Sequence, residues 1–231
     1  MPEIVLLSDP RIAAVPVEEC GEPLVDLRDV EALRVDPRLA DGAGAYAHVR
    51  LSVADLLVAA QTRLPRELRL LVVEGYRPAA TQARDFASSV ARHRAAHPGW
   101  DDERAAAEAA KFVSPPAVAP HVTGGAVDLT LCTAGGAELP MGTPVNATPP
   151  EAGEECRTAS AAVSREARAN RDLLIDAMTS AGFVNYPTEW WHWSYGERYW
   201  AFVTGARHAR YGPRDRLPAG EAPVRRARGA R

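Results

Sequence analysis

The stretch Ala126-Val127-Asp128-Leu129-Thr130-Leu131 reads as a β-strand with a carboxylate at its centre. A charge among such neighbours is costly unless it is paired or bound to a metal. Any fold open to this chain must therefore bring a partner to Asp128. His121 lies in a loop just upstream, and Gly124 and Gly125 let the connection fold tightly enough for the two side chains to converge. A second segment, Thr188-Glu189-Trp190-Trp191-His192-Trp193, supplies another imidazole and another carboxylate. On a helix Glu189 and His192 would share a face. On a regular strand they would point apart unless a turn or bulge intervened near Trp190, and the sequence admits either arrangement. Alone, a histidine beside aromatics is usually packed, and a buried aspartate usually caps or pairs. Together, His121, Asp128 and His192 make the three-ligand set of a catalytic zinc that keeps its fourth position for water. Glu189 is then a carboxylate able to move a proton between that water and a leaving amine, and the flanking tryptophans keep bulk water out.

Around these segments the pattern is mixed. Val15-Pro16-Val17 and Pro23 to Leu27 read as short strands, and Asp41-Gly42-Ala43-Gly44 as a turn. Ser52 is expected to cap a helix whose apolar positions are Val53, Leu56, Leu57, Ala60 and Leu64, stopped by Pro65. Leu68 to Val73 reads as a buried strand, and helical sequence follows Pro78 as far as Ala96. Asp101-Asp102-Glu103 opens a helix with the acidic first turn that the helix dipole favours. Residues 133 to 160 form a long loop. Ser164 caps a helix with the stripe Leu174, Ala177, Met178 and Ala181, ended by Gly182. Phe183 to Tyr186 and Trp190 to Tyr195 read as strands joined at Pro187. Helices and strands do not alternate regularly enough for a parallel sheet.

Composition excludes several classes. With 46% hydrophobic and 25% charged residues among 231, the chain can bury one sizeable core. A net charge of -3 gives no overall electrostatic footprint for nucleic acid. No stretch approaches the roughly 18 apolar residues of a membrane span, and the first residues lack the basic and apolar regions of a signal peptide, so a cytoplasmic protein is expected. Three widely spaced cysteines without a CxxC pair indicate neither a disulfide framework nor a zinc finger. After Gly205, eight arginines sit among Gly, Pro and Ala, which reads as a solvated tail.

The spacing His121–Asp128 followed by Glu189–His192 resembles the zinc peptidase family of D-alanyl-D-alanine dipeptidases and carboxypeptidases, the VanX-like group of peptidase family M15. The segments Glu74-Gly75-Tyr76-Arg77-Pro78, Gly125 to Leu131, Met141-Gly142-Thr143 and Ala181-Gly182-Phe183 match in the expected order, across about residues 45 to 203. The resemblance implies a single α+β domain: a central, mainly antiparallel sheet flanked by helices, with the metal site on the sheet. Residues 1–205 would form this domain, with a divergent portion at 1–44, and 206–231 a basic, flexible tail. One Zn2+ per chain would be held by His121, Asp128 and His192. Glu189 would be general base and then acid, and Arg77 the oxyanion stabiliser. Tyr76, Ser114, Asn146 and Trp191 would line the substrate, a small peptide such as D-Ala-D-Ala. Asn146 stands where the resembling dipeptidases usually carry an acidic residue, which points to altered specificity.

Other readings share some of these residues. Two histidines and a carboxylate also make the facial triad of non-haem Fe(II) oxygenases, although those place His and Asp closer together and need no Glu189 equivalent. A zinc-binding module without catalysis would need neither Glu189 nor Arg77. A D,D- or L,D-carboxypeptidase or an amidase would differ only in substrate.

Overall fold

The computed structural model describes residues 4–147, 153–214 and 217. In chain order these form helix α1 (Pro10–Ala13), strands β1 (Leu24–Asp26), β2 (Arg34–Val35) and β3 (His48–Arg50), helix α2 (Leu51–Gln61), and strand β4 (Leu68–Glu74). Helices α3 (Ala79–Ala96) and α4 (Asp102–Ala109), strand β5 (Ala126–Thr133) and helix α5 (Arg165–Ser180) follow. Strands β6 (Val184–Asn185) and β7 (His192–Ser194) and helix α6 (Arg198–Thr204) complete the fold. The main sheet has the order β2-β4-β5-β7-β6. Only β2 runs parallel to its neighbour, so the architecture is α+β with a mainly antiparallel sheet. A separate antiparallel ladder joins β1 to β3.

Strand alternation gives the main sheet two different faces. Val127, Leu129 and Leu131 of β5 lie opposite Trp193, Val72 and Leu70. These residues join Val53, Leu57 and Ala60 of α2 and Leu174, Ala177 and Met178 of α5 in one buried core. The other face carries Glu74, Asp128 and His192 at directly opposed positions on three neighbouring strands, and opposed residues share a face. The ladder shifts register between Val72 and Glu74. The extra residue in the bulge is Val73, so Glu74 comes to face Asp128, a re-aiming that bulges commonly produce beside active sites.

Most expected elements form, and the exceptions have physical reasons. Ser52 does not cap α2. The helix starts at Leu51, and the Glu22 carboxylate, 30 residues upstream, accepts from both the Ser52 N–H (2.9 Å) and its hydroxyl (2.6 Å). Val15 to Val17 makes no strand, only an isolated bridge from Val17 to Ala209. Helix α6, for which the sequence carries no periodic signal, is only seven residues long and is capped by Glu197. The first residues expected in the tail pack on the fold. Ala209 and Tyr211 are buried, and Glu18 and Cys20 donate backbone hydrogen bonds to Ala209 and Arg210. Arg216 and the arginines from 225 onward lie outside the described residues. The three cysteines are free. Among the described residues no helix is long and apolar enough to cross a membrane.

One close approach positions the site. Gly75, just after β4, donates to the Tyr46 carbonyl (2.6 Å), and the following Tyr76 donates to the His48 carbonyl (2.6 Å). A Cβ on Gly75 would be driven into the His48 carbonyl oxygen and to within 2.8 Å of Val49 Cγ1. A Gly75→Ala variant is therefore expected to lose about 1–3 kcal/mol of stability, read from urea denaturation. An unchanged midpoint would show that this contact gives way freely.

Candidate metal centre

His121 sits in a 3-10 turn, Pro120–Thr123, that leads into β5. Gly124 closes the turn at φ 72°, in the left-handed region where glycine carries no penalty. Two further bonds fix the turn. The His121 carbonyl accepts from the Arg77 N–H at 3.1 Å, and His121 Nδ1 lies 2.7 Å from the Gly75 carbonyl oxygen. Only a protonated Nδ1 can bond a carbonyl, so in the neutral ring the Nε2 lone pair faces inward.

Glu189 and His192 are joined by neither of the regular elements considered. The His192 N–H bonds the Glu189 carbonyl at 3.2 Å, so residues 189–192 form a turn that delivers His192 into β7 beside Asp128. The three donor groups then meet. Asp128 Oδ1 is 3.0 Å from His192 Nδ1 and 3.3 Å from His121 Nε2, and the two nitrogens are 3.2 Å apart. All three residues are buried. They are the group of histidine and carboxylate donors among the described residues able to share one metal ion.

The electrostatics match. Burial alone would raise the Asp128 carboxyl, but His121 and His192 outweigh it and hold Asp128 well below the usual carboxylate range. Burial would lower His121, but the Asp128 charge raises it instead. Two imidazole nitrogens and a carboxylate oxygen are a donor set suited to zinc, and a cation among them would replace protons as the partner of the buried charge. Glu189 behaves differently. It is half-buried, and loss of hydration pushes it up to about 7, against the pull of His192 and Arg77. The Trp191 indole N–H faces it without closing a hydrogen bond of good geometry.

Arg77 is held by a chain of polar contacts that the sequence reading did not assign. Glu74 takes its Nε at 2.7 Å and one Nη, and the Gln82 side-chain oxygen takes the other Nη at 2.8 Å. Each Nη keeps a second N–H that these partners do not use. The Gln82 amide donates in turn to the Ser114 carbonyl at 2.7 Å, so Ser114 connects to Arg77 through its backbone. Glu74 was detectable by the signal that marks Asp128, a charged residue at the end of an apolar strand. Gln82 gave no such signal.

The other expected substrate contacts are distributed unevenly. Tyr76 is packed, with 1% exposure and its hydroxyl donating to the Arg214 carbonyl at 2.6 Å. It ties the Arg77 segment to the C-terminal part of the fold. Trp191 is buried beside Glu189. Asn146 is exposed at φ 61°, a conformation that asparagine tolerates better than most residues. Its loop is tied to the site through Thr143, whose hydroxyl accepts from Trp190 Nε1 at 2.8 Å.

The raised Glu189 has a thermodynamic consequence. A carboxyl whose folded-state pKa lies above its unfolded value contributes stability at low pH and loses that contribution as pH rises through about 7. In metal-free protein, Glu189→Gln should therefore raise the melting temperature at about pH 8 and have little effect at about pH 5. Equal shifts at both values would contradict the burial of this group.

A family model for peptidase family M15, described as D-ala-D-ala dipeptidase, matches residues 39–208. A D-alanyl-D-alanine dipeptidase of Synechocystis sp. (strain ATCC 27184 / PCC 6803 / Kazusa) is 30% identical, covering 84% of this chain and 90% of its own length. Solved structures similar to it include a vancomycin-resistance D,D-pentapeptidase, VanY, in complex with Zn(II), with TM-score 0.39 and 17% identity over 80% of this chain and 88% of that one. Another is the LdcB LD-carboxypeptidase, with TM-score 0.45 and 22% identity over 80% and 73%. With the family model spanning most of its length and a full-length dipeptidase relative beside it, the chain belongs to the D-Ala-D-Ala dipeptidase family and is a metallopeptidase.

Proposed function

We propose that the protein is a zinc-dependent dipeptidase acting on a short D-amino-acid peptide, D-Ala-D-Ala first among them. The observation that carries this reading is the convergence of His121, Asp128 and His192 donor atoms within 3.0–3.3 Å of one another, in a chain whose 30%-identical relative is a D-alanyl-D-alanine dipeptidase. Bound there, one Zn2+ would supply Lewis acidity and lower the pKa of a water molecule.

The remaining work falls to the chain. Glu189 accepts a proton from the attacking water and passes it to the leaving amine, a role suited to a carboxyl poised near neutrality. Arg77, oriented by Glu74 and Gln82, offers its unused N–H groups to the charge that develops on the carbonyl oxygen. Trp191 keeps water from Glu189. Ser114 and Asn146 are the substrate contacts, with Asn146 the position where preference for the amino terminus would differ.

The test is release of free alanine from D-Ala-D-Ala and L-Ala-L-Ala by zinc-loaded protein. Release from the D,D substrate alone is expected, abolished by chelator and reduced by roughly a hundredfold or more in Glu189→Ala. Because a bound cation favours the ionised carboxylate, the acid limb of kcat/KM should fall at or below pH about 7. Cleavage confined to longer D,D or L,D peptides would replace the dipeptidase reading with the carboxypeptidase one. Full activity of Glu189→Ala would remove Glu189 from the reaction.

A further inference from the structure

We infer that Ser194, backed by Glu197, positions His192 by fixing the tautomer that turns Nδ1 toward the metal. This rests on His192 being a ligand, as proposed above. The two candidate histidine ligands present opposite nitrogens. His121 faces Asp128 through Nε2, and its other nitrogen is bonded to the Gly75 carbonyl. His192 faces Asp128 through Nδ1, and with that lone pair given to a cation the proton of the neutral ring is on Nε2. That nitrogen lies 3.4 Å from Ser194 Oγ. Ser194 is two residues along β7, on the same face, and fully buried.

A hydroxyl that accepts one hydrogen bond can direct its own proton elsewhere. The Glu197 carboxylate is beside Ser194 to receive it. Glu197 is 1% exposed and has no ion pair among the described residues. Its oxygens are fixed by the N–H groups of Tyr199 (2.7 Å) and Trp200 (2.8 Å) at the start of α6. The line from His192 through Ser194 to Glu197 therefore ends on a carboxylate that the first turn of a helix holds in place. A metal-ligating histidine that donates its second N–H into such a chain is oriented and made more basic, and loss of the outer partner typically costs 10–100-fold in metal affinity. A Glu197 that merely capped α6 would leave metal affinity independent of the Glu197 charge.

The experiment measures zinc affinity by competition with a chromogenic chelator, together with the melting temperature of the metal-free protein. It compares wild type, Ser194→Ala, Ser194→Thr, Glu197→Gln and His192→Ala. Ser194→Ala should bind zinc about 10–100-fold more weakly at an unchanged metal-free melting temperature. Ser194→Thr, which keeps the hydroxyl, should recover most of the loss, and Glu197→Gln should weaken binding in the same direction. If Ser194→Ala fails to fold, Glu197→Gln carries the same comparison. Wild-type affinity in Ser194→Ala, or in Glu197→Gln where that variant decides, overturns the inference while leaving the ligand assignment intact. Undiminished zinc binding by His192→Ala overturns the ligand assignment itself, and the inference with it.

Discussion

The fold is organised around a negative charge that has been removed from water. Asp128 is 2% exposed in the middle of β5, with strands on both sides and an apolar core behind it. Left unpaired, such a group would protonate or destabilise the strand. Two imidazoles answer it from different parts of the chain, one from the turn that enters β5 and one from the strand beside it. Because opposed strand positions share a face, registering β7 against β5 is enough to place His192 over Asp128. The bulge in β4 adds Glu74 to the same row, and Glu74 then fixes Arg77. One strand register thus sets the pairing of Asp128 with His192 and the anchor of the neighbouring guanidinium together.

Two buried arginines brace this arrangement from either side. Arg50, fully buried, donates to the Thr123 carbonyl at 2.6 Å, directly behind the turn that carries His121. It also reaches the Glu22 and Gly212 carbonyls and the Glu19 carboxylate, and lies 4.8 Å from the centre of the Tyr211 ring. The segments near residues 20 and 210 are thereby locked against the His121 turn. Arg171, 1% exposed, donates to the carbonyls of Met141, Glu155 and Arg157 and lies 5.3 Å from the Trp190 ring centre. It holds both ends of the loop that contains Asn146. Burial without a carboxylate partner lowers Arg171 to about 10, still charged at neutral pH. The planar guanidinium fork suits this work, since a lysine offers neither the geometry nor the stacking.

What the sequence discloses follows from how local each feature is. The apolar run Leu68 to Val73, the Ser164 cap and the Gly182 stop depend on neighbouring residues, and all three are present. The cluster of His121, Asp128 and His192 was legible because a carboxylate in an apolar strand and a histidine among tryptophans each need an explanation. Features set by distant partners were not legible. Ser52 looks like a cap, but Glu22 does the capping. The arginine-rich segment looks like a tail, yet Ala209 and Tyr211 are buried against residues near the other end of the chain. Gln82 looks like any helix residue, and its link to Arg77 and Ser114 depends on a loop 32 residues away. The turn at Glu189 was one of two arrangements the spacing allowed, and strand pairing selected between them.

Diffraction from zinc-loaded crystals at the zinc absorption edge tests the central assignment most directly. The account predicts one anomalous peak per chain, about 2.0–2.2 Å from His121 Nε2, Asp128 Oδ1 and His192 Nδ1. A zinc bound without Asp128, or reached through Nε2 of His192, would contradict it.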